Sequence, residues 1–337
     1  MNVKRDPSHP PMISVLLPVF NSERYLRASI ESVLNQTFGD FEIIAIDNGS
    51  TDGTAPILDG LTDPRVRVIH QPNTGLAGTL NRGIELARGR YIARQDADDL
   101  SRPTRFEQQV AFMESHPDCA LLGTRAAIWM GDQPSGRAHD HPVEDAALRF
   151  ELLFNNPFVH SSVMLRKSAV EAAGGYSTDA RRQPPEDYEL WSRLARRHAV
   201  ANLGDRLTIY REVPASISRQ GRDPFVEKLV LISAENLAAA LGMDEPSTDL
   251  RDIAALTHTS YRHLSGNPDL ARMCSLVQAA ARHIHLSAGG SDVLERAKLR
   301  IKALRHQYLL YRLNIGWHRP IARFARNLRA RLIYKRQ

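Results

Sequence analysis

The chain of 337 residues, 42% apolar and 24% charged by residue type, is long enough to bury a full core and too ordinary in composition for a disordered or fibrous protein. Two cysteines, Cys119 and Cys274, exclude a disulfide framework, and no stretch approaches the about 18 apolar residues of a spanning helix, so a cytoplasmic protein is expected. The net charge of +6 sits at one end: Arg319, Arg323, Arg326, Arg329, Arg331, Lys335 and Arg336 carry seven positive charges without an acid, leaving residues 1–318 at −1.

In chain order, residues 1–11 are polar and proline-rich and read as a disordered N-terminus rather than a signal. Ile13 to Val19 is an apolar, buried-strand run ended by Pro18 and the turn former Asn21. Ser22 to Gln36 has helical spacing. Phe41 to Ile46 is the second strand, ending in the turn Asp47 to Thr54, where Ser50 or Thr51 could cap a helix. Val66 to Ile69 is a third strand, Leu76 to Ala87 a helix, and Tyr91 to Gln95 a fourth strand. Such alternation predicts βαβ units on a parallel sheet, whose ligand crevice lies beyond the carboxyl ends of the strands. Asp47 and the Asp96–Asp99 group should meet at that edge.

Further on, Arg105 to Ser115 predicts a helix, Cys119 to Met130 one or two strands, and Gly131 to Pro142 a polar loop. Val143 to Leu153 reads as a helix, Phe158 to Arg166 as a strand, Glu186 to Arg197 as an amphipathic helix, and Leu207 to Arg211 as a last strand. Beyond Ser218 strands give way to four helices, Phe225 to Leu241, Leu250 to Leu264, Leu270 to Leu286 and Val293 to Leu313.

The sharpest local signal is Asp96-Ala97-Asp98-Asp99, with three carboxylates in four residues. Extended backbone would point Asp96 and Asp98 to one side, where a hard divalent cation could sit between them. The competing reading is a solvated acidic turn with Asp99 or Ser101 as the next N-cap.

Seven short motifs occur in order: Pro18-Val19-Phe20-Asn21, Asp47 to Thr54, Asn73-Thr74-Gly75, Asp96 to Asp99, Gly174-Gly175-Tyr176, Glu186 to Trp191 and Tyr210-Arg211. Each is weak alone, but together the run resembles family 2 glycosyltransferases, bacterial sugar transferases of polysaccharide and lipopolysaccharide assembly. The resemblance implies an α/β GT-A nucleotide-sugar-binding fold with a mostly parallel central sheet over residues 12–218. A helical appendage over 219–316 and a basic amphipathic tail over 317–337 would follow.

It further implies an inverting transfer from a UDP- or dTDP-linked sugar to a glycan or lipid-linked hydroxyl. Asp47 would hold the nucleobase. Pro18, Val19, Asn21, Asn48, Asn73, Asp96 and Arg211 would complete the nucleotide-sugar site. Asp98, with Asp96, would seat Mg²⁺ or Mn²⁺, and Asp187 beside Glu186 would be the base. His160 lies in a stretch that relatives place near the acceptor. Trp191 is expected in the core and Arg94 exposed, while Arg181 and Arg182 could meet an anionic group. Relatives often carry a histidine shortly after the Tyr-Arg pair, where this chain has Glu212 and Val213.

In the tail, Ile321, Phe324, Leu328 and Leu332 share a face among arginines, a pattern that fits either an anionic membrane surface or a helix docked on the protein. No recognition module points to nucleic acid. The rival functions are a nucleotidyltransferase, which would need a Gly-rich basic loop after the first strand, and a non-catalytic sugar-nucleotide-binding scaffold.

Overall fold

The computed structural model describes residues 9–213, 222–290 and 292–315. The chain divides into two units, Met1–Lys228 and Leu229–Gln337.

The first unit begins with the alternation that the apolar runs dictate: β1 (Ile13–Val19), α1 (Leu26–Leu34), β2 (Phe41–Asp47), α2 (Thr54–Asp59), β3 (Val66–His70), α3 (Gly75–Leu86) and β4 (Tyr91–Arg94). These strands pair in the order β3-β2-β1-β4, all parallel. β1, β2 and β4 are buried on both faces, which is why they read as nearly unbroken apolar sequence. Leu17, Leu26, Phe41, Ile43 and Phe106 lie in the core they share with the helices. Register sets Val19 beside Asp47 and Asp47 beside His70, so the turns that follow open on one edge.

The rest of the unit comprises β5 (Leu100–Ser101), α4 (Arg105–Ser115), β6 (Cys119–Met130), β7 (Gln133–His139), α5 (Asp145–Leu152), β8 (Met164–Arg166), α6 (Lys167–Ala172), α7 (Glu186–Ala195) and β9 (Ala199–Glu212). β8 is antiparallel to both β4 and β6, β9 is parallel to β6, and β5 is antiparallel to β9. The sheet is therefore parallel in its N-terminal half and mixed beyond β4. The acidic turn joins β4 to β5, and β5 is paired with β9.

Four local expectations are corrected. The polar stretch read as a loop contains β7, an edge strand whose mostly exposed residues show no apolar alternation. Phe158 to Arg166 is not one strand. A 3-10 turn occupies His160–Ser162, with Ser162 Oγ donating to Val159 O at 2.8 Å, and only β8 is extended. α2 has neither Ser50 nor Thr51 as a cap but starts after Gly53; Thr54 Oγ1 instead accepts from Ser22 N at 2.8 Å. Asp99 and Ser101 cap no helix, since β5 intervenes and α4 begins after Thr104.

The second unit is helical: the end of α8 (Arg222–Ala240), then α9 (Thr248–Thr257), α10 (Leu270–Ala288) and α11 (Val293–Ile315). Leu250, Ile253, Met273, Val277 and Ile301 are buried in it. Ser247 and Asp269 cap α9 and α10 by accepting from Leu250 N and Arg272 N. Among the described residues no helix is long and apolar enough to cross a membrane. The tail of residues 317–337 and residues 1–8 lie outside the described residues.

Candidate functional site

The turns after β1, β2 and β3 are laced together. Asn21 takes the left-handed conformation (φ 47°), which asparagine tolerates. Its Oδ1 accepts from Thr51 N at 2.8 Å, and its own N–H donates to Ser50 Oγ at 3.0 Å. Asn48 N donates to Val19 O at 2.8 Å, joining the Pro18–Val19 backbone to the next turn. Asn48 Nδ2 donates to Asn73 Oδ1 at 3.1 Å, and Asn48 Oδ1 accepts from Thr74 N at 2.9 Å. Gly49 has φ +80°, and a side chain there would crowd Asn73 N at 3.1 Å. The predicted donor residues Pro18, Val19, Asn21, Asp47, Asn48 and Asn73 thus stand on one sheet edge.

Asp47 is nearly buried, 4% exposed. One carboxylate oxygen accepts from Ser50 N at 3.0 Å; the other lies 2.9 Å from His70 Nδ1. Burial opposes its ionisation, but the bonds from Ser50 and His70 outweigh it and hold the carboxyl below its ordinary range. The sequence reading did not single out His70. Its signal was the alignment of two strand ends, visible only once register is known.

The three acids after β4 have three different fates. The chain turns here, with Asp99 N donating to Asp96 O at 3.3 Å, so strand alternation does not set the aim of Asp96 and Asp98. Asp96 Oδ1 pairs with Arg94 Nη2 at 2.6 Å. Asp98 is pushed up to about 6 by burial and by the charge of Asp96, against Arg211 and Arg94. Asp99 is buried and structural: Oδ1 accepts from Arg211 N at 2.7 Å and Oδ2 from Ser161 Oγ. Burial, then Asp96 and Asp98, raise it well above the carboxylate range.

Arg94 is buried, contrary to expectation. Its Nη1 donates to Gln95 O, and its Nε has no hydrogen-bond partner. Beneath it Arg105, pushed down to about 9 by burial, donates to Ser101 Oγ at 2.8 Å and Arg94 O at 2.8 Å, fixing the strand end that carries the turn.

Across the site, α7 presents Glu186 and Asp187 in its first turn. Asp187 accepts from Tyr188 N at 2.7 Å and from Asn156 Nδ2 at 2.7 Å. Burial, then the charge of Glu186, push it up to about 7. Glu186 is raised by burial, lowered by Arg94 and raised again by Asp96, so the start of α7 and the end of β4 share one electrostatic field. Gly174-Gly175-Tyr176 has a packing reason: Asn81 holds the Tyr176 N–H and C=O at 2.8 Å each, and a side chain on Gly175 would strike Asn81 Oδ1 at 2.6 Å. His160 is half-buried and bonded to Tyr176 Oη at 3.0 Å; desolvation and the nearby Arg94 hold it well below the ordinary histidine range. Trp191 is core, its ring 5.7 Å from that of His160. Arg181 and Arg182 both lie against Asp179, at 2.8 and 3.7 Å.

Arg211 is a clamp. Its Nε donates to Gly131 O at 2.8 Å, Nη1 donates to Asp98 O, Nη2 lies 3.4 Å from Asp132, and the guanidinium stacks 4.3 Å over Tyr25. It reaches Asp98 through the backbone and its field.

No group of three or more His, Cys, Asp or Glu side chains suited to a metal occurs among the described residues. The donor set is the pair Asp98 and Asp96, with Asp96 shared by Arg94. Burial and the charge of Asp96 hold Asp98 up to about 6, and two neighbouring carboxylates are a donor set that a hard cation taking its other positions from phosphate oxygens would fit.

Residues 14–174 match the family model described as glycosyl transferase family 2. EpsE of Bacillus subtilis is 34% identical over 227 residues, 66% of this chain and 81% of EpsE. AmsE of Erwinia amylovora, an amylovoran biosynthesis glycosyltransferase, is 36% identical over 203 residues, 58% of this chain and 74% of AmsE. The crystal structure of S. aureus TarS 1–349 in complex with UDP-GlcNAc aligns with a TM-score of 0.59 at 17% identity, over 90% of this chain and 93% of that one. At that identity the likeness is one of fold.

Proposed function

The chain belongs to glycosyltransferase family 2 and is a glycosyltransferase of GT-A fold, and from that premise we propose that it inverts the anomeric carbon while moving a sugar from a UDP- or dTDP-linked donor to a hydroxyl of a glycan or lipid-linked acceptor in cell-surface polysaccharide assembly. The observation that carries the mechanism is Asp187. Its carboxyl is pushed up to about 7 by burial and the charge of Glu186, is held by Asn156 and Tyr188, and shares a field with the Asp96–Asp98 turn. A general base is most effective when its pKa lies near the working pH.

In this reading Asp47 accepts a ring N–H of the nucleobase, and the turns carrying Asn21, Asn48 and Asn73 shape the pocket around it. Asp98, with Asp96, would hold a divalent cation, Mg²⁺ or Mn²⁺, which would offset the charge of the leaving diphosphate. Arg94 aims Asp96, and the Arg211 clamp fixes the Asp98 backbone. The acceptor oxygen attacks the anomeric carbon from the face opposite the diphosphate. Its proton passes to Asp187 Oδ as the bond to the β-phosphate oxygen breaks. Glu186, itself raised by burial, adds its charge to the burial that raises the base.

The name of AmsE supports polysaccharide assembly, and the TarS complex supports a UDP-sugar donor. The basic residues from Arg319 onward suit attachment to an anionic inner membrane face. A thermal-shift screen of nucleotide sugars with Mn²⁺ tests the donor. UDP- or dTDP-sugars are expected to raise the Tm, and a response confined to cytidine nucleotides would sink the assignment.

A further inference from the structure

One titratable side chain at the donor edge has no part in the chemistry above. His70 ends β3 as the register partner of Asp47. Its Nδ1 lies 2.9 Å from Asp47 Oδ2 and its Nε2 3.1 Å from Asp59 Oδ1 of α2. Ionised carboxylates only accept hydrogen bonds, so both contacts are made only when both ring nitrogens carry hydrogen. The ring that fits its surroundings is the imidazolium. A neutral ring would serve one acid and turn a lone pair on the other. The three side chains grade outward, 6% exposed for Asp47, 44% for His70 and 67% for Asp59, so the chain of contacts leads from a buried acid to solvent.

We infer that Asp59–His70–Asp47 is a specificity relay, in which the imidazolium of His70 holds Asp47 as an aimed, acceptor-only carboxylate that selects nucleobases with an imide N–H and loosens its grip when His70 gives up its proton. It rests on the reading of Asp47 as the base holder. Ser50 N and His70 take one position on each carboxylate oxygen of Asp47, and a carboxylate has about four lone-pair sites, so acceptor capacity remains for a ligand N–H. Uracil and thymine offer that hydrogen; cytosine offers a lone pair. The charged groups facing His70 are Asp47 from β2 and Asp59 from α2, and their hydrogen bonds raise it above its ordinary 6.5. The sign follows: affinity is full below the raised pKa of His70 and declines as pH rises through it. By reciprocity, a bound uridine nucleotide makes His70 harder to deprotonate.

The test is calorimetric titration of the full chain with UDP and with CDP in Mg²⁺, across pH and in two buffers of different ionisation enthalpy. Wild-type protein is expected to take up protons on binding UDP near the His70 transition and to bind CDP far more weakly. His70→Asn should abolish the proton uptake and weaken UDP binding about tenfold, the order of one charge-assisted hydrogen bond. Asp59→Asn, a change at an exposed site, should move the alkaline decline of UDP affinity to lower pH. Unchanged proton uptake and pH dependence in both variants, with UDP binding still lost in Asp47→Asn, overturns the relay and spares the base holder. UDP binding indifferent to Asp47→Asn overturns both.

Discussion

Arg94 and Asp96 leave the same strand end two residues apart and close an ion pair of 2.6 Å in which the cation is 1% exposed and the acid 31%. Arg94 also bears on Asp98, Glu186 and His160, lowering the first two acids and helping to keep the histidine neutral. Arg94→Gln removes that field. Asp98 and Glu186 should then hold their protons to higher pH, moving the acid limb of Mg²⁺-dependent UDP binding upward. Stability should fall by about 1–3 kcal/mol, since Asp96 loses a charged donor. Calorimetry across pH and a melting curve measure the two effects, and an unmoved limb would refute the field.

Asp187→Asn keeps the shape of the side chain and removes the carboxylate proposed as the base. Turnover should drop by about 10²–10⁴ while the Kd for UDP stays within a factor of a few. Initial rates beside a binding titration check this; unchanged turnover would remove Asp187 from the mechanism.

The rate should climb as pH rises through about 7, where Asp187 loses its proton. The macroscopic value belongs to Asp187 and Glu186 jointly. Asn156 donates to the ionised carboxylate, so Asn156→Ala should shift this limb to higher pH. The effect on folding has the opposite sense. A carboxyl whose pKa rises from 3.8 to about 7 on folding contributes stability fully present below 3.8 and lost as pH rises through about 7. Asp187→Asn should flatten that part of the stability profile.

Asp98→Ala should weaken Mg²⁺- or Mn²⁺-dependent nucleotide binding by tenfold or more, and EDTA should do the same to the wild-type chain, about 1.4 kcal/mol per tenfold. Affinity that ignores both treatments would dispose of the cation seat.

Asp99 and its neighbours should separate by stability rather than chemistry. Asp99→Ala strips Arg211 N and Ser161 Oγ of their acceptor in a buried site and should cost about 2 kcal/mol or more. Ser161→Ala should cost less, and Asp98→Ala little. Chemical denaturation ranks the three, and an Asp98 variant as unstable as the Asp99 variant would contradict the division.

The N-terminal half was legible because buried parallel strands leave a strong trace: β1, β2 and β4 are apolar runs closed by turn formers. β7 left none, lying at an edge with most side chains in water. β9 is also longer than its readable core at Leu207–Arg211, because its polar middle is extended by pairing with β6 rather than by its own pattern. Asp47, Asp96, Asp98, Glu186 and Asp187 were singled out by motif. Local sequence could not assign Arg94, whose type argues for solvent while its strand position buries it, nor His70, whose partner Asp47 lies 23 residues away.

The β5–β9 pairing has a consequence for synthesis. Ser101 pairs with Thr208, and Asp99 is bonded to Arg211, 112 residues later. A nascent chain carries β1 to β4 long before β9, so the acidic turn lacks the support that Arg211 gives it until β9 arrives. Until then three carboxylates sit near one another without the Arg211 clamp. Loop closure of that span is costly and late. The enzyme should therefore gain its donor site in one step near the end of translation of its first unit. Stalled chains that stop before Tyr210 should bind nucleotide more weakly than the full chain, however well their first four strands have folded.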